Sequence, residues 1–142
     1  VDAWSIPVLV ALVAVPLLVG LYSGWRQADR HREALANRPP VLDDEYLRAV
    51  GADAVDAPLW LAIRGGVADG CGLPPGAIHP EDQMGELWKC LPDGPDFLDL
   101  IFRWELALQI KIPRGKLEPV WCQRNEEFGT FARGVVGVLR GS

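Results

Sequence analysis

Serine is almost missing from this 142-residue chain: Ser5 and Ser23 lie in an apolar run, and Ser142 is the last residue. Thr130 is the single threonine. No serine stands in the soluble part, which excludes serine-based nucleophilic catalysis. Histidine is nearly as scarce, with only His31 and His79. The three cysteines, Cys71, Cys90 and Cys122, are odd in number and form no C-x-x-C pair. They offer no zinc-ligand set, and a cytoplasmic domain keeps them as thiols. Basic charge is also in short supply. A net charge of -5 argues against a nucleic-acid partner, which would require a basic face. Gly65-Gly66 lacks the lysine and spacing of a phosphate loop. No alternating strand pattern of useful length, internal repeat or low-complexity tract is found. The length leaves room for one membrane segment and one small domain, which excludes a multi-domain enzyme, a barrel or a polytopic transporter.

What the chain does contain begins with a charge-free run, SIPVLVALVAVPLLVGLYSG, over residues 5–24. A helix crossing a hydrocarbon core of ~30 Å needs about twenty residues at ~1.5 Å rise each. Trp4 and Trp25 bracket the run and Tyr22 sits near its end, as interfacial aromatics do. Pro7 and Pro16 are tolerated in a membrane helix, with a kink expected at Pro16. A cleaved signal peptide would have a basic start and a small-residue cleavage site, and the start here is VDAW. Residues 1–25 therefore read as a transmembrane anchor. Arg26, Arg30, Arg32 and Arg38 follow it. By the positive-inside rule the expectation is a single-pass membrane protein with its C-terminal domain in the cytoplasm.

Residues 26–56 read as a charged stalk and linker helix. RQADRHREALANR is crowded with charge and expected to be a solvated helical continuation that ends at Pro39-Pro40. DDEYLRAVG then forms a short helix, with Asp43, Asp44 and Glu45 at its positive end and Gly51 at its close. Residues 57–142 form the expected helical domain. Ala57 to Gly70 places Leu59, Ile63 and Val67 on one face, with Asp56 as N-cap. Gly65-Gly66 in that helix predicts close backbone packing or a break. A turn-rich loop leads to a short helix from Pro80 to Trp88. A second clear helix, Phe97 to Gln109, aligns Leu98, Ile101, Glu105 and Leu108, with Phe102 beside them. A last helix begins near Val120 or Asn125 and ends at Leu139, with Phe128, Phe131, Val135 and Val138 inward.

The order of these elements, with Asp96-Phe97-Leu98-Asp99-Leu100, Glu105 and Ile110-Lys111-Ile112-Pro113, resembles the acyl carrier protein family. The turn Gly72-Leu73-Pro74-Pro75-Gly76-Ala77-Ile78 is similar to that family's turn after its first helix. The resemblance covers about residues 57–140. It implies a mainly α fold: one N-terminal transmembrane helix plus a small acyl-carrier-like four-helix bundle with an acidic second helix. The departure matters more than the match. Phe97 occupies the position of the serine that carries 4'-phosphopantetheine in that family, and no neighbouring serine substitutes. No cofactor and no metal are expected.

Other chemistry is thin. Cys71 and His79, eight residues apart, are the one thiol–base pair to consider. Pro92-Asp93-Gly94-Pro95-Asp96 reads as a turn followed by an N-cap at Asp96, and its spacing does not suit an EF-hand. Trp60, Trp88, Trp104 and Trp121 are core or groove residues, with Trp104 also a candidate partner anchor. Residues 39–112 hold thirteen acids against five bases, an acidic face suited to steering a basic partner. The expected function is a membrane-anchored, non-enzymatic protein-interaction module without a phosphopantetheine arm. Its partner surface would comprise Asp96, Asp99, Arg103, Trp104 and Glu105. The alternatives are a carrier that holds an acyl chain non-covalently and a thiol enzyme using Cys71 and His79.

Overall fold

A computed structural model describes residues 5–122 and 125–141. Trp4, assigned above to a membrane interface, lies outside them. The fold is mainly helical. Its helices are α1 (Ser5–Ala36), α2 (Asp43–Val50), α3 (Ala57–Cys71), α4 (Met84–Trp88), α5 (Phe97–Leu108), α6 (Arg114–Trp121) and α7 (Phe128–Arg140). A 3₁₀ turn spans Pro75–Ala77. No strand occurs among the described residues, although an isolated antiparallel bridge joins Gln83 to Glu127.

Helix α1 has 32 residues and runs unbroken through Pro16. At ~1.5 Å per residue it measures roughly 48 Å. Its first twenty residues carry no charge, and side chains such as Ile6, Leu12 and Leu18 are more than 60 % exposed. It is long and apolar enough to cross a membrane. Its second half corrects the expectation of a solvated stalk. Ala28 is buried. His31 Nε2 lies 2.7 Å from the Glu86 carbonyl. Arg32 donates from Nε to the Cys71 carbonyl (3.1 Å) and from Nη2 to the Cys90 carbonyl (2.9 Å). Arg38 donates to the Ala77 carbonyl (3.0 Å) and to Asp82 (2.8 Å). A guanidinium presents five donors in a fixed fork, so one arginine can serve several carbonyls of a loop without a carboxylate for each. Arg32 and Arg38 are spent on docking, whereas Arg26, Asp29, Arg30 and Glu33 stay exposed.

Residues 26–56 are likewise not a linker. Tyr46 and Val50 of α2 belong to the same apolar core as α3, α5 and α7. Arg64, placed mid-helix in α3, explains the attachment. It is fully buried and donates to the carbonyls of Ile78 (3.0 and 3.1 Å) and Val41 (2.8 Å) and to Asp43 (3.1 Å). Its guanidinium also lies 4.4 Å from the Tyr46 ring centroid. A buried charge is costly unless its donors are used; here they tie α2, α3 and the loop after Gly76 together. Gly51 closes α2 in the left-handed conformation (φ 70°), as expected from its position.

The centre of the domain is α3 packed against α5 and α7. Gly66 is the point of closest approach: a Cβ there would sit 2.6 Å from Cδ1 and Nε1 of Trp104. Gly65 has no such neighbour, so close packing explains only one of the two glycines. Asp56 does not cap α3. Its side chain makes no cap hydrogen bond and pairs with Arg140 at the end of α7. The last helix starts later than Val120, close to the Asn125 alternative, and an additional helix, α6, precedes it. The chain leaves α6 after Trp121, and α7 starts at Phe128, whose amide donates 2.7 Å to the Asp82 carbonyl. The inward face of α7 is Phe128, Phe131, Ala132, Val135, Val136 and Leu139, with Val138 only partly buried.

Candidate functional site

Helix α5 begins where the sequence places it. Asp96 Oδ1 accepts from the amides of Leu98 (2.9 Å) and Asp99 (3.2 Å) and so caps the first turn. Gly94 (φ 78°) makes the turn before it, and its amide donates to the Leu91 carbonyl. The turn-plus-cap reading of residues 92–96 describes the geometry. Phe97 is half-buried against Trp121, with ring centroids 4.8 Å apart.

The inward face of α5 differs from the expected one. Leu100, Ile101 and Trp104 are buried, and Leu98 and Phe102 point to solvent. Trp104 is therefore not a partner anchor. It is fully buried, donates from Nε1 to the Ile63 carbonyl at 3.3 Å, and packs on Phe131. Burying an indole of ~200 Å² contributes about 5 kcal/mol of transfer free energy, and the core claims it. Arg103 bridges Asp99 on its own helix (2.7 Å) and Asp69 on α3. Those carboxylates hold its guanidinium above the usual range, the Asp99 hydrogen bond first among the causes. Glu105 accepts the Ile112 amide at 2.9 Å and Lys111 at 3.1 Å, which fixes the exit from α5. The Ile112 amide, then Lys111, hold its carboxyl below the usual carboxylate range. Asp99, Arg103 and Glu105 thus sit at the surface but are engaged within the chain.

A feature missed from the sequence lies on the outer face of α5. Leu98, Phe102, Leu106 and Ile110 recur every four residues and are 52, 56, 55 and 39 % exposed. Two shallow clefts flank the row. One is lined by Phe102, Leu106, Arg103, Asp99 and Asp69, the other by Phe102, Leu106, Glu105, Gln109 and Lys111. The period-four spacing is legible in the sequence, but grouping Leu98 with Ile101 and Leu108, and Phe102 beside them, hides the row, because α5 is apolar on both sides.

Cys71 and His79 do not form a nucleophile–base pair. The Cys71 thiol is buried and directed at the Leu87 carbonyl (3.6 Å), and burial pushes its pKa up to about 12. His79 Nε2 faces the Pro39 carbonyl (3.1 Å) and its Nδ1 faces Glu81 (3.6 Å). A reactive cysteine needs the opposite environment, electropositive and partly exposed. Among the described residues, no group of three or more His, Cys, Asp or Glu is arranged to hold a metal ion. Comparisons of the chain with protein families, with characterised proteins and with solved structures returned no match.

Proposed function

We propose that the chain is a membrane-anchored, non-enzymatic interaction module. In this reading α1 spans the bilayer, and the domain beyond it is an acyl-carrier-like bundle without a prosthetic arm. The four arginines after the apolar run support a cytoplasmic side for that domain by the positive-inside rule. The observation that carries the interaction reading is the row Leu98, Phe102, Leu106 and Ile110 on α5. Exposed apolar side chains at helical spacing, rimmed by charge, suit a partner helix laid alongside. The occupant is a protein helix with basic residues beside its apolar stripe, because residues 39–112 are strongly acidic. Asp96, Asp99, Arg103 and Glu105 border the row and orient the partner, whereas the apolar row supplies the anchors first assigned to Trp104.

The acyl-chain alternative receives less support, since Trp104 and Phe131 occupy the space between α3, α5 and α7. The thiol-enzyme alternative lacks the Cys71–His79 contact it requires. The test is photocrosslinking in the native membrane, with a photoreactive residue at position 102 of the full chain. Capture of one discrete protein from position 102, lost in a Leu98→Glu/Leu106→Glu variant, is the expected result. Capture that is unaffected by that variant refutes the row as a docking surface.

A further inference from the structure

The docked half of α1 has a consequence for the loop between α4 and α5. A cleft of about 300 Å³ lies between them, lined by Gly24, Gln27 and His31 on α1 and by Lys89, Leu91 and Pro92 beyond α4. Gly24 ends the stretch of residues 5–24 read as the span, one residue before the interfacial Trp25. Gln27 and His31 follow it by roughly 4.5 and 10 Å along the helix axis. The headgroup layer occupies about 5–8 Å beyond the hydrocarbon on each side. A helix tilt of ~20° changes these depths by only a few per cent. In any bilayer that α1 crosses, the α1 side of the cleft thus runs from the hydrocarbon edge at Gly24 through the headgroup layer at Gln27 to just above that layer at His31.

The lining has matching chemistry. Leu91 and Pro92 supply the apolar part of the lining. Gln27 and Lys89 supply donors, and Lys89 is 60 % exposed. Glu86 takes one ammonium donor at 2.6 Å, which leaves two of the three for another acceptor. His31 lines the cleft while its Nε2 is engaged with the Glu86 carbonyl. The wall cannot swing away freely, because Arg32 is bonded to the Cys90 carbonyl at the base of the loop.

We infer that this cleft binds the headgroup of an anionic phospholipid, with Lys89 and Gln27 on the phosphate and Leu91 and Pro92 against the glycerol end. The inference rests on the reading that α1 spans the membrane. The site clamps the domain to the bilayer surface in one orientation, so that the anchor and the α4–α5 loop hold the same leaflet.

The experiment uses the full chain in lipid nanodiscs containing equal amounts of phosphatidylglycerol and phosphatidylcholine. Resistance to alkaline carbonate is measured first, then the lipids retained in native mass spectrometry. The expected result is an embedded chain that retains phosphatidylglycerol preferentially. Lys89→Ala lowers the preference about fivefold, the equivalent of the ~1 kcal/mol that one lysine contributes near an anionic surface. Lys116→Ala, on α6, leaves it unchanged. Release by carbonate overturns the spanning reading and the site with it. An embedded chain without lipid preference, or with equal losses in both variants, overturns the site alone. Displacement of the lipid by inorganic phosphate would identify a free anion as the ligand and overturn the lipid assignment.

Discussion

The adjacent glycines of α3 should respond to alanine with opposite signs. Gly65→Ala adds a methyl group to open space within a helix. Replacing a helical glycine with alanine stabilises by up to ~1 kcal/mol through helix propensity and a stiffer unfolded chain. Gly66→Ala has the same propensity gain, but its Cβ lands 2.6 Å from two atoms of the Trp104 indole. The indole is flat, rigid and fully buried, so it cannot yield as a flexible side-chain end would. Overpacking of this kind costs ~1–3 kcal/mol. Displacing the indole also weakens its hydrogen bond to the Ile63 carbonyl, worth about 1 kcal/mol. The net expectation is a loss of ~1–3 kcal/mol for Gly66→Ala and a gain of up to ~1 kcal/mol for Gly65→Ala. Urea unfolding of the full chain in detergent, followed by tryptophan fluorescence, measures both. A neutral or stabilising Gly66→Ala would refute the α3–α5 packing described above.

Further outcomes follow from other parts of the molecule. Arg32→Gln should free the docked half of α1, because the carbonyls of Cys71 and Cys90 lose a charged donor worth ~1.5–3 kcal/mol each. Spin labels on α1 and α4 would report a broadened distance distribution, and an unchanged distribution would show that Arg32 does not hold the dock. At pH 8 the exposed Cys122 should alkylate quickly, while Cys71 should react only after denaturation. Cys71 also predicts alkaline instability. Its native pKa is raised by burial, so its stabilising effect is complete below the unfolded value of ~8.5. Above that pH the unfolded chain releases its proton first, and stability falls as pH rises toward about 12. Cys71→Ala should flatten that slope in denaturation measured from pH 8 to 10; a slope identical to the wild type would exclude Cys71 as its source. Phe102→Glu should change folding stability by no more than ~0.5 kcal/mol, since the ring is more than half exposed. A large loss in thermal unfolding would mean that the ring is part of the core.

Much of the helix pattern was legible because local rules produce it. Asp96 caps α5 with its own side chain, and the residues that need this cap are two and three positions away. Gly51 closes α2 for a similarly local reason, the low cost of a positive φ in glycine. The site was less legible. Helix α5 is apolar nearly all round, with Leu98, Phe102 and Leu106 outside and Leu100, Ile101 and Trp104 inside. Periodicity within one helix cannot rank two apolar stripes. The stripe that turns inward is the one containing the largest ring, and it does so because Gly66 on α3 leaves room for it.

The sequence by itself determined a helical chain with one apolar segment of membrane-spanning length and no serine between Ser23 and Ser142. These properties depend on composition and on spacings of a few residues. Tertiary structure decided how the charged residues after that segment are used. His31, Arg32 and Arg38 read as a solvated face, since their acceptors are the carbonyls of Glu86, Cys71, Cys90 and Ala77, at least 39 residues away. Every residue carries such a carbonyl, so nothing in the amino-acid types marks those positions. Only the tertiary fold brings the oxygens to these side chains, and this turns a stalk into a rigid mount.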